Sequence, residues 1–539
     1  MRRTNHIGIC NICTIILIVL LVAVMAVSYF VNECDGGILL VLNVIPYLGV
    51  GMLVLTLSTN WPERTELVIV FLISCWLQYE SIIGILQIVG LMTSNHQFYA
   101  LTGNFSNPGP YGGFVAVCTA VCGAFAMKQY KSISAPMKMV SRFAAASALM
   151  GFIMLPATMS RSAWLAIAFS CAFVLSSFPV IKEWWRRRGV LFKSLAIALC
   201  CILVVCSFYL KTDSAIGRIH MWNMEMKALL ESPLWGHGPN RALSAYGEAQ
   251  AEYFATAMRP ATQIRIAGCP EYTFNEYLRF GLESGVAGLI LSVGIILVAC
   301  CALHKQNSSF EFGLLAIGIF AFASYPLKVW QLSVLLAVFL GKACSVSGCR
   351  VIRKTGLPIL LSGVLAVLII WWRPRQELII NAEKRWQEEQ RFVALGIDET
   401  AADSLAVLYP LLQNNYRYLY DYGQALYKAE KYGCSRKILR EGAALSSDPM
   451  FYNIIGKCLE AETYYNEAEA SYMHAHFMVP SRLYPLILLM RMEIRRGNRE
   501  KACAYANKIL LMPINQNNKT MQNLRDEAKS FLDEVCGNN

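Results

Sequence analysis

Gly217-Arg218-Ile219-His220-Met221-Trp222 opens, Pro233-Leu234-Trp235-Gly236-His237-Gly238 punctuates, and Phe274-Asn275-Glu276-Tyr277-Leu278 closes the long polar insertion running from Asp213 to Glu283. It interrupts a first part that is otherwise strongly apolar, and apolar runs on both sides pin it to one face of a membrane. Any chemistry done by the chain is expected within or beside this stretch.

The flanking sequence sets the class. Over 539 residues the chain is 56% apolar and 16% charged, far from the profile of a soluble protein. Several apolar runs approach or exceed the roughly 20 residues that cross a bilayer as helix. The expected fold is therefore all-α: a polytopic helical membrane protein of about 11 spans with a C-terminal α-helical repeat domain. The spans are read at 13–31, 37–58, 66–92, 108–127, 141–158, 161–181, 190–210, 281–303, 310–324, 327–343 and 356–372. The first is an uncleaved span, since no small-residue cleavage site follows Arg2 and Arg3 convincingly. The third carries Glu80 near its middle, so it is expected to be tilted or broken.

The formal charge of +12 does not point to nucleic acid, because Lys and Arg gather in short connections between apolar runs. Lys128, Lys131, Lys138 and Arg142, then Lys182 and Arg186 to Arg188, then Lys305, then Arg350, Arg353 and Lys354 mark cytoplasmic loops. The connections at 32–37 and 93–107 hold no Lys or Arg. This bias places the N-terminus in the cytoplasm of a bacterial cell, and the 211–280 loop and everything after Trp372 in the periplasm. Most cysteines lie in apolar runs, and no set of four His and Cys has zinc-site spacing, so neither a metal nor a cofactor is expected.

At Arg373 the character changes: charge rises and apolar residues fall into helical periodicity. Tyr422-Gly423-Gln424-Ala425-Leu426 with Tyr432 recurs as Ile455-Gly456-Lys457-Cys458-Leu459 with Tyr465, and a looser copy places Gly497 and Ala502 after Arg491. The period resembles that of tetratricopeptide repeats. The domains are thus 1–372, a membrane domain carrying the outer loop, and 373–539, a helical domain with a surface for binding or positioning, including a protein partner.

Two arginines stand out. Arg161, in Ser160-Arg161-Ser162-Ala163-Trp164, lies at an outer membrane boundary, where a guanidinium snorkels, pairs or faces a polar cavity. Arg218 opens the outer loop, either as a solvated charge or as part of a site. Their rigid forks suit phosphate oxygens, and together they fit a diphosphate head group or a general attraction to anionic lipid. Asn107, Pro108 and Gly109 sit in a Gly/Pro/Asn-rich outer loop that permits tight turns. Trp222, Gly236, Gly238 and Asn275 are further loop-shaping candidates.

Phe105 to Gly113, Ser160 to Trp164, Gly217-Arg218 with Trp222, Pro233 to Gly238, and Asn275 to Leu278 with Glu283-Ser284-Gly285-Val286-Ala287-Gly288 resemble, in order, the landmarks of the O-antigen ligase and polymerase superfamily. The tail resembles the repeat domain of its Bacteroidetes members. The resemblance implies an inverting, metal-independent glycosyltransferase of the inner membrane. Its donor would be a glycan on undecaprenyl diphosphate, with Arg161 and Arg218 holding the diphosphate. The acceptor would be a hydroxyl on lipid A-core, on another lipid-linked glycan, or on a protein, as in protein O-oligosaccharyltransferases. Ligases of this family usually have His where this chain has Phe274, which leaves Glu276, His237, Glu271 and His220 as candidate bases, with Glu276 first and His237 next. The competing class is a transporter or assembly scaffold, which would instead scatter ionisable residues through its spans.

Overall fold

The computed structural model describes residues 2–32, 44–177, 212–257, 259–345, 357–394, 398–512 and 519–537, with a few more between 183 and 194. The expected span at 190–210 falls almost wholly outside the described residues. Every regular element described is helical, so the chain is an all-α, polytopic membrane protein with a helical C-terminal part. It divides into two compact units. The first comprises residues 1–30, 37–212 and 273–372; the second comprises 31–36, the loop 213–272, and the tail 373–539.

The first unit contains helices α1 (Arg2–Val31), α2 (Ile45–Asn60), α3 (Pro62–Ile88), α4 (Pro108–Gln129), α5 (Ala135–Ala157) and α6 (Arg161–Ser177). After the loop come α10 (Glu276–Lys305), α11 (Phe310–Phe322), a short 3₁₀ turn at Pro326–Lys328, and α12 (Trp330–Cys344). Among the described residues, the helices of α1, α3, α4, α5 and α10 are long and apolar enough to cross a bilayer, and α2, α6, α11 and α12 are shorter apolar helices.

Helix α4 is the most enclosed of the five long ones, and its glycines explain how neighbours reach it. A Cβ on Gly113 would come within 2.4 Å of the Phe320 ring, and one on Gly112 within 2.8 Å of Ser160 Cβ. Small residues at these positions let helices approach closely without a polar bond to hold them.

Glu80 does not break α3, which runs unbroken from Pro62 to Ile88. Instead the carboxylate accepts from the Asn104 backbone N–H and from Asn104 Nδ2, each at 3.1 Å. Two turns further on, Gln87 Oε1 accepts from the N–H groups of Thr102 at 3.0 Å and Gly103 at 2.8 Å. The irregular loop ahead of α4 is therefore bonded to α3 instead of to water, which is how non-helical backbone is tolerated at a membrane boundary.

In the second unit, α7 (Thr212–Glu231), α8 (Ala242–Ala255) and α9 (Ala261–Ile266) form the loop. The tail continues from the part of α13 (Leu357–Ala394) that follows Trp372 through α14 (Asp398–Leu412) into hairpins: α15 (Tyr416–Lys428) with α16 (Tyr432–Ala443), α17 (Met450–Ala461) with α18 (Tyr465–Met478), and α19 (Tyr484–Arg495) with α20 (Arg499–Leu511). Helix α21 (Lys519–Gly537) packs on the last. The 33-residue sequence period has a geometric counterpart: Gly423 meets Leu439 and Gly456 meets Tyr472 where each hairpin closes. The turn inside each hairpin carries a left-handed residue, Glu430 (φ 59°), Thr463 (φ 67°) and Gly497 (φ 74°).

Candidate functional site

In the first unit the chain enters the site region at Asn107. Its extended backbone and its side chain, which accepts from Gly109 N–H at 3.0 Å, cap α4, and Pro108 follows at the first helical position. Asn107, Pro108 and Gly109 thus form a helix start, not a free loop.

Arg161 is the first residue of α6. The turn before it is fixed from several directions: Thr158 Oγ1 donates to Leu155 O at 2.7 Å, Trp164 Nε1 donates to Leu155 O at 2.8 Å, and Met159 sits at φ 52°. The guanidinium is half-buried.

Asn275 repeats the Asn107 device. Its side chain is buried and accepts from the N–H groups of Tyr277 at 3.0 Å and Leu278 at 3.1 Å, starting α10. Glu276, the next residue, is also buried, and both of its oxygens are engaged. One pairs with Arg279 Nε at 2.5 Å, and the other accepts from Leu327 N–H at 3.1 Å. Arg279 reaches in turn to Glu283 at 3.4 Å. Service of Glu276 as a proton acceptor would require one of those bonds to open.

Helix α10 then breaks. Gly285 adopts φ 73° and ψ −173°, which only glycine takes up without strain, and Ser284 beside it is also non-helical. A break frees backbone groups, and Ser28 Oγ of α1 donates to the Glu283 carbonyl at 2.6 Å. The span expected from residue 281 therefore begins at 276 and is discontinuous near its N-terminal end. Phe274 packs edge-on against Tyr325 with ring centroids 5.5 Å apart.

The remaining candidates belong to the second unit. Arg218 and Trp222 lie one turn apart on α7 and are both half-buried. Gly236 (φ 68°) and Gly238 (φ 100°) turn the chain after α7 through conformations that favour glycine. His237 between them points Nε2 at the Ala228 carbonyl, 2.8 Å away, so that nitrogen donates and helps close the C-terminal end of α7. His220 is buried against Gln250 at 3.0 Å, and burial lowers its affinity for a proton. Glu271 is exposed and pairs with Arg417 at 2.6 Å.

Sequence reasoning passed over Arg279, Gln250 and Glu225. Glu225, one turn past Trp222, is fully buried, and neither carboxyl oxygen has a hydrogen-bond partner. Burial pushes it up to about 8. Among the described residues no group of three or more His, Cys, Asp or Glu side chains is placed to hold a metal ion.

Residues 145–293 match the protein family described as O-antigen ligase. The matched span contains Arg161, Arg218, His237, Asn275, Glu276 and the Ser284-Gly285 break. No curated protein matches the chain.

Proposed function

We propose that the chain, whose residues 145–293 match the O-antigen ligase family, transfers a glycan from an undecaprenyl-diphosphate carrier to an acceptor hydroxyl at the periplasmic face of the inner membrane. The observation that carries this reading is that the family match spans both Arg161 and Arg218, each half-buried on a helix. A partly desolvated guanidinium fork binds phosphate oxygens more strongly than a fully hydrated one.

In the proposed reaction the acceptor oxygen forms a bond to the anomeric carbon as the bond from that carbon to the phosphate oxygen breaks, inverting the centre. Undecaprenyl diphosphate leaves with the electron pair, and Arg161 and Arg218 stabilise the charge that develops on it without a metal. The acceptor proton passes to a base. Glu276 is the proposed base once one of its oxygens is released from Arg279 or Leu327, and His237 is the second candidate, through its Nδ1. Phe274 favours a surface-polysaccharide polymerase over a lipopolysaccharide ligase, since an aromatic ring packed on Tyr325 cannot take a proton. The tail is proposed as a tetratricopeptide-like domain.

The test is deletion of the gene in its host and complementation with wild type or Arg218→Ala, comparing lipid-linked intermediates with finished surface glycans. Arg218→Ala is expected to abolish transfer while the protein inserts at normal abundance; normal transfer would remove the donor site. Full-length glycan stranded on the carrier identifies a ligase, and single repeat units in place of long chains identify a polymerase. If neither pool changes, the transferase reading falls.

A further inference from the structure

The repeat hairpins lie in the same compact unit as the outer loop, and one buried amide bonds across the contact between them, beside more exposed bonds such as those from Glu248 to Tyr452 and His474. Gln250, on α8, is 1% exposed. Its nitrogen donates to the carbonyls of Gly268 at 3.0 Å and Met478 at 2.5 Å. Its oxygen accepts from Tyr246 at 2.6 Å and faces His220 Nε2 at 3.0 Å. Two carbonyls on one side require the NH₂ there, so the oxygen faces His220, and His220 Nε2 must carry the hydrogen. Every hydrogen-bonding direction of the amide is then used.

The partners come from different parts of the unit. Met478 is the last residue of α18, and its carbonyl is one that the helix itself leaves unsatisfied. His220 belongs to α7, two residues beyond Arg218. Residues two apart on a helix point about 200° from each other, so anchoring the His220 face turns Arg218 to the opposite side. Close packing supports the joint: a Cβ on Gly247 would lie 2.8 Å from Met478 and 3.2 Å from Ser447. At the surface Arg417 of α15 pairs with Glu271, close to where the loop returns to the membrane unit.

We propose that Gln250 is a positioning residue that locks the Arg218-bearing helix to the repeat hairpins, so that the repeat domain acts in cis on donor binding. This rests on the reading of Arg218 as a donor ligand. The repeats then have this chain's own loop as a ligand.

The test uses the full chain in lipid nanodiscs, with undecaprenyl-diphosphate-linked glycan extracted from the deletion strain as donor. Losing this buried amide is expected to raise the apparent KM for donor by about tenfold in Gln250→Ala, the size of one well-made buried hydrogen bond. In an Arg218→Lys background the same change should add less than about threefold, because the lock acts through the residue already altered. Equal factors in both backgrounds would overturn the proposal. Arg417→Glu, an exposed change that spares the core, is expected to raise the donor KM by about threefold, and the swap with Glu271→Arg to restore it. An unchanged KM in Arg417→Glu, or no recovery in the swap, would also overturn it. Amide hydrogen exchange over residues 242–272 reads the lock without any transfer assay: faster exchange in Gln250→Ala supports the lock, and unchanged exchange removes it. If Arg218→Ala transfers normally, the donor reading fails whatever the exchange shows.

Discussion

Both units pair buried carboxyl groups, but the outer unit also holds one that is left unpaired. In the membrane unit Glu80 takes two donors from Asn104, Glu276 and Glu283 share Arg279, and Glu311 meets His304 at 2.9 Å. In the outer unit Glu493 likewise pairs with Arg496 at 2.8 Å, whereas Glu225 is as deeply buried and has no hydrogen-bond partner on either oxygen. The difference follows from solvent. A segment facing hydrocarbon has no water with which to relax an unpaired carboxylate, so its partners must be built into the fold. A water-surrounded domain has another route: the buried group keeps its proton and enters the core uncharged.

Removing a partner from the membrane unit should have the largest effect. Arg279→Leu leaves Glu276 and Glu283 buried without their shared cation, and breaking a buried pair from one side costs about 3–5 kcal/mol. The expected outcome is a sharp fall in the thermal midpoint of the solubilised full chain, with Arg279→Lys recovering part of it because one ammonium cannot fork between two carboxylates. A loss below about 1 kcal/mol would mean that both glutamates find other partners or protonate at little cost, and the contrast between the units would be gone.

Removing the unpaired acid from the outer unit should act in the opposite direction and depend on pH. Glu225 holds its proton up to about 8 in the folded chain, against 4.5 ordinarily. The folded state therefore binds more protons than the unfolded state between those values, and stability falls as pH rises through that window and levels off on either side. The full gap is worth about 5 kcal/mol, of which about 3 kcal/mol is felt by pH 7. Glu225→Gln removes the titration, so the thermal midpoint of the variant should gain on wild type steadily from pH 5 to pH 8. A constant difference across that range would show that Glu225 is not the titrating group.

Some of this was open to reading from the chain alone. The apolar runs declared the membrane unit, the polar insertion marked the loop, and Gly236 and Gly238 sit where positive φ is needed. Glu225 left a visible trace, since Met221, Met224, Ala228 and Leu229 define the buried face of α7 and Glu225 falls within it. Other features left none. The partner of Glu80 lies 24 residues away in an irregular loop, so a single sequence shows only an isolated charge in a span. Glu283-Ser284-Gly285 is visible as a motif, but the Ser28 hydroxyl that makes its break tolerable is 255 residues distant. Gln250 stands between two alanines as an uncharged residue, and nothing local announces its four hydrogen bonds. The repeat is partly hidden for the same reason: the left-handed turn residue is Glu430, then Thr463, and becomes glycine only at Gly497.

The smallest effect gives the sharpest version of the comparison, because it uses the same neutral side chain in both units. Asn275 caps α10 in the membrane unit and Asn415 caps α15 in the outer unit, each accepting two backbone N–H bonds. Replacing an asparagine cap by alanine ordinarily costs about 1 kcal/mol. At Asn415 the freed N–H of the exposed Arg417 can bond to water, so the loss should sit at the low end, about 0.5 kcal/mol. Each cap has one buried recipient, Leu278 or Tyr418, but at Asn275 the cap itself is buried too, so the loss should approach about 2 kcal/mol. Serine should recover most of the loss at either site, since it caps by the same bond. The measurement is the thermal midpoint of each alanine and serine variant under one set of conditions. Equal losses at the two caps would mean that water reaches the start of α10 as freely as it reaches the repeats, and that the pairing of Glu276 with Arg279 needs an explanation other than exclusion of solvent.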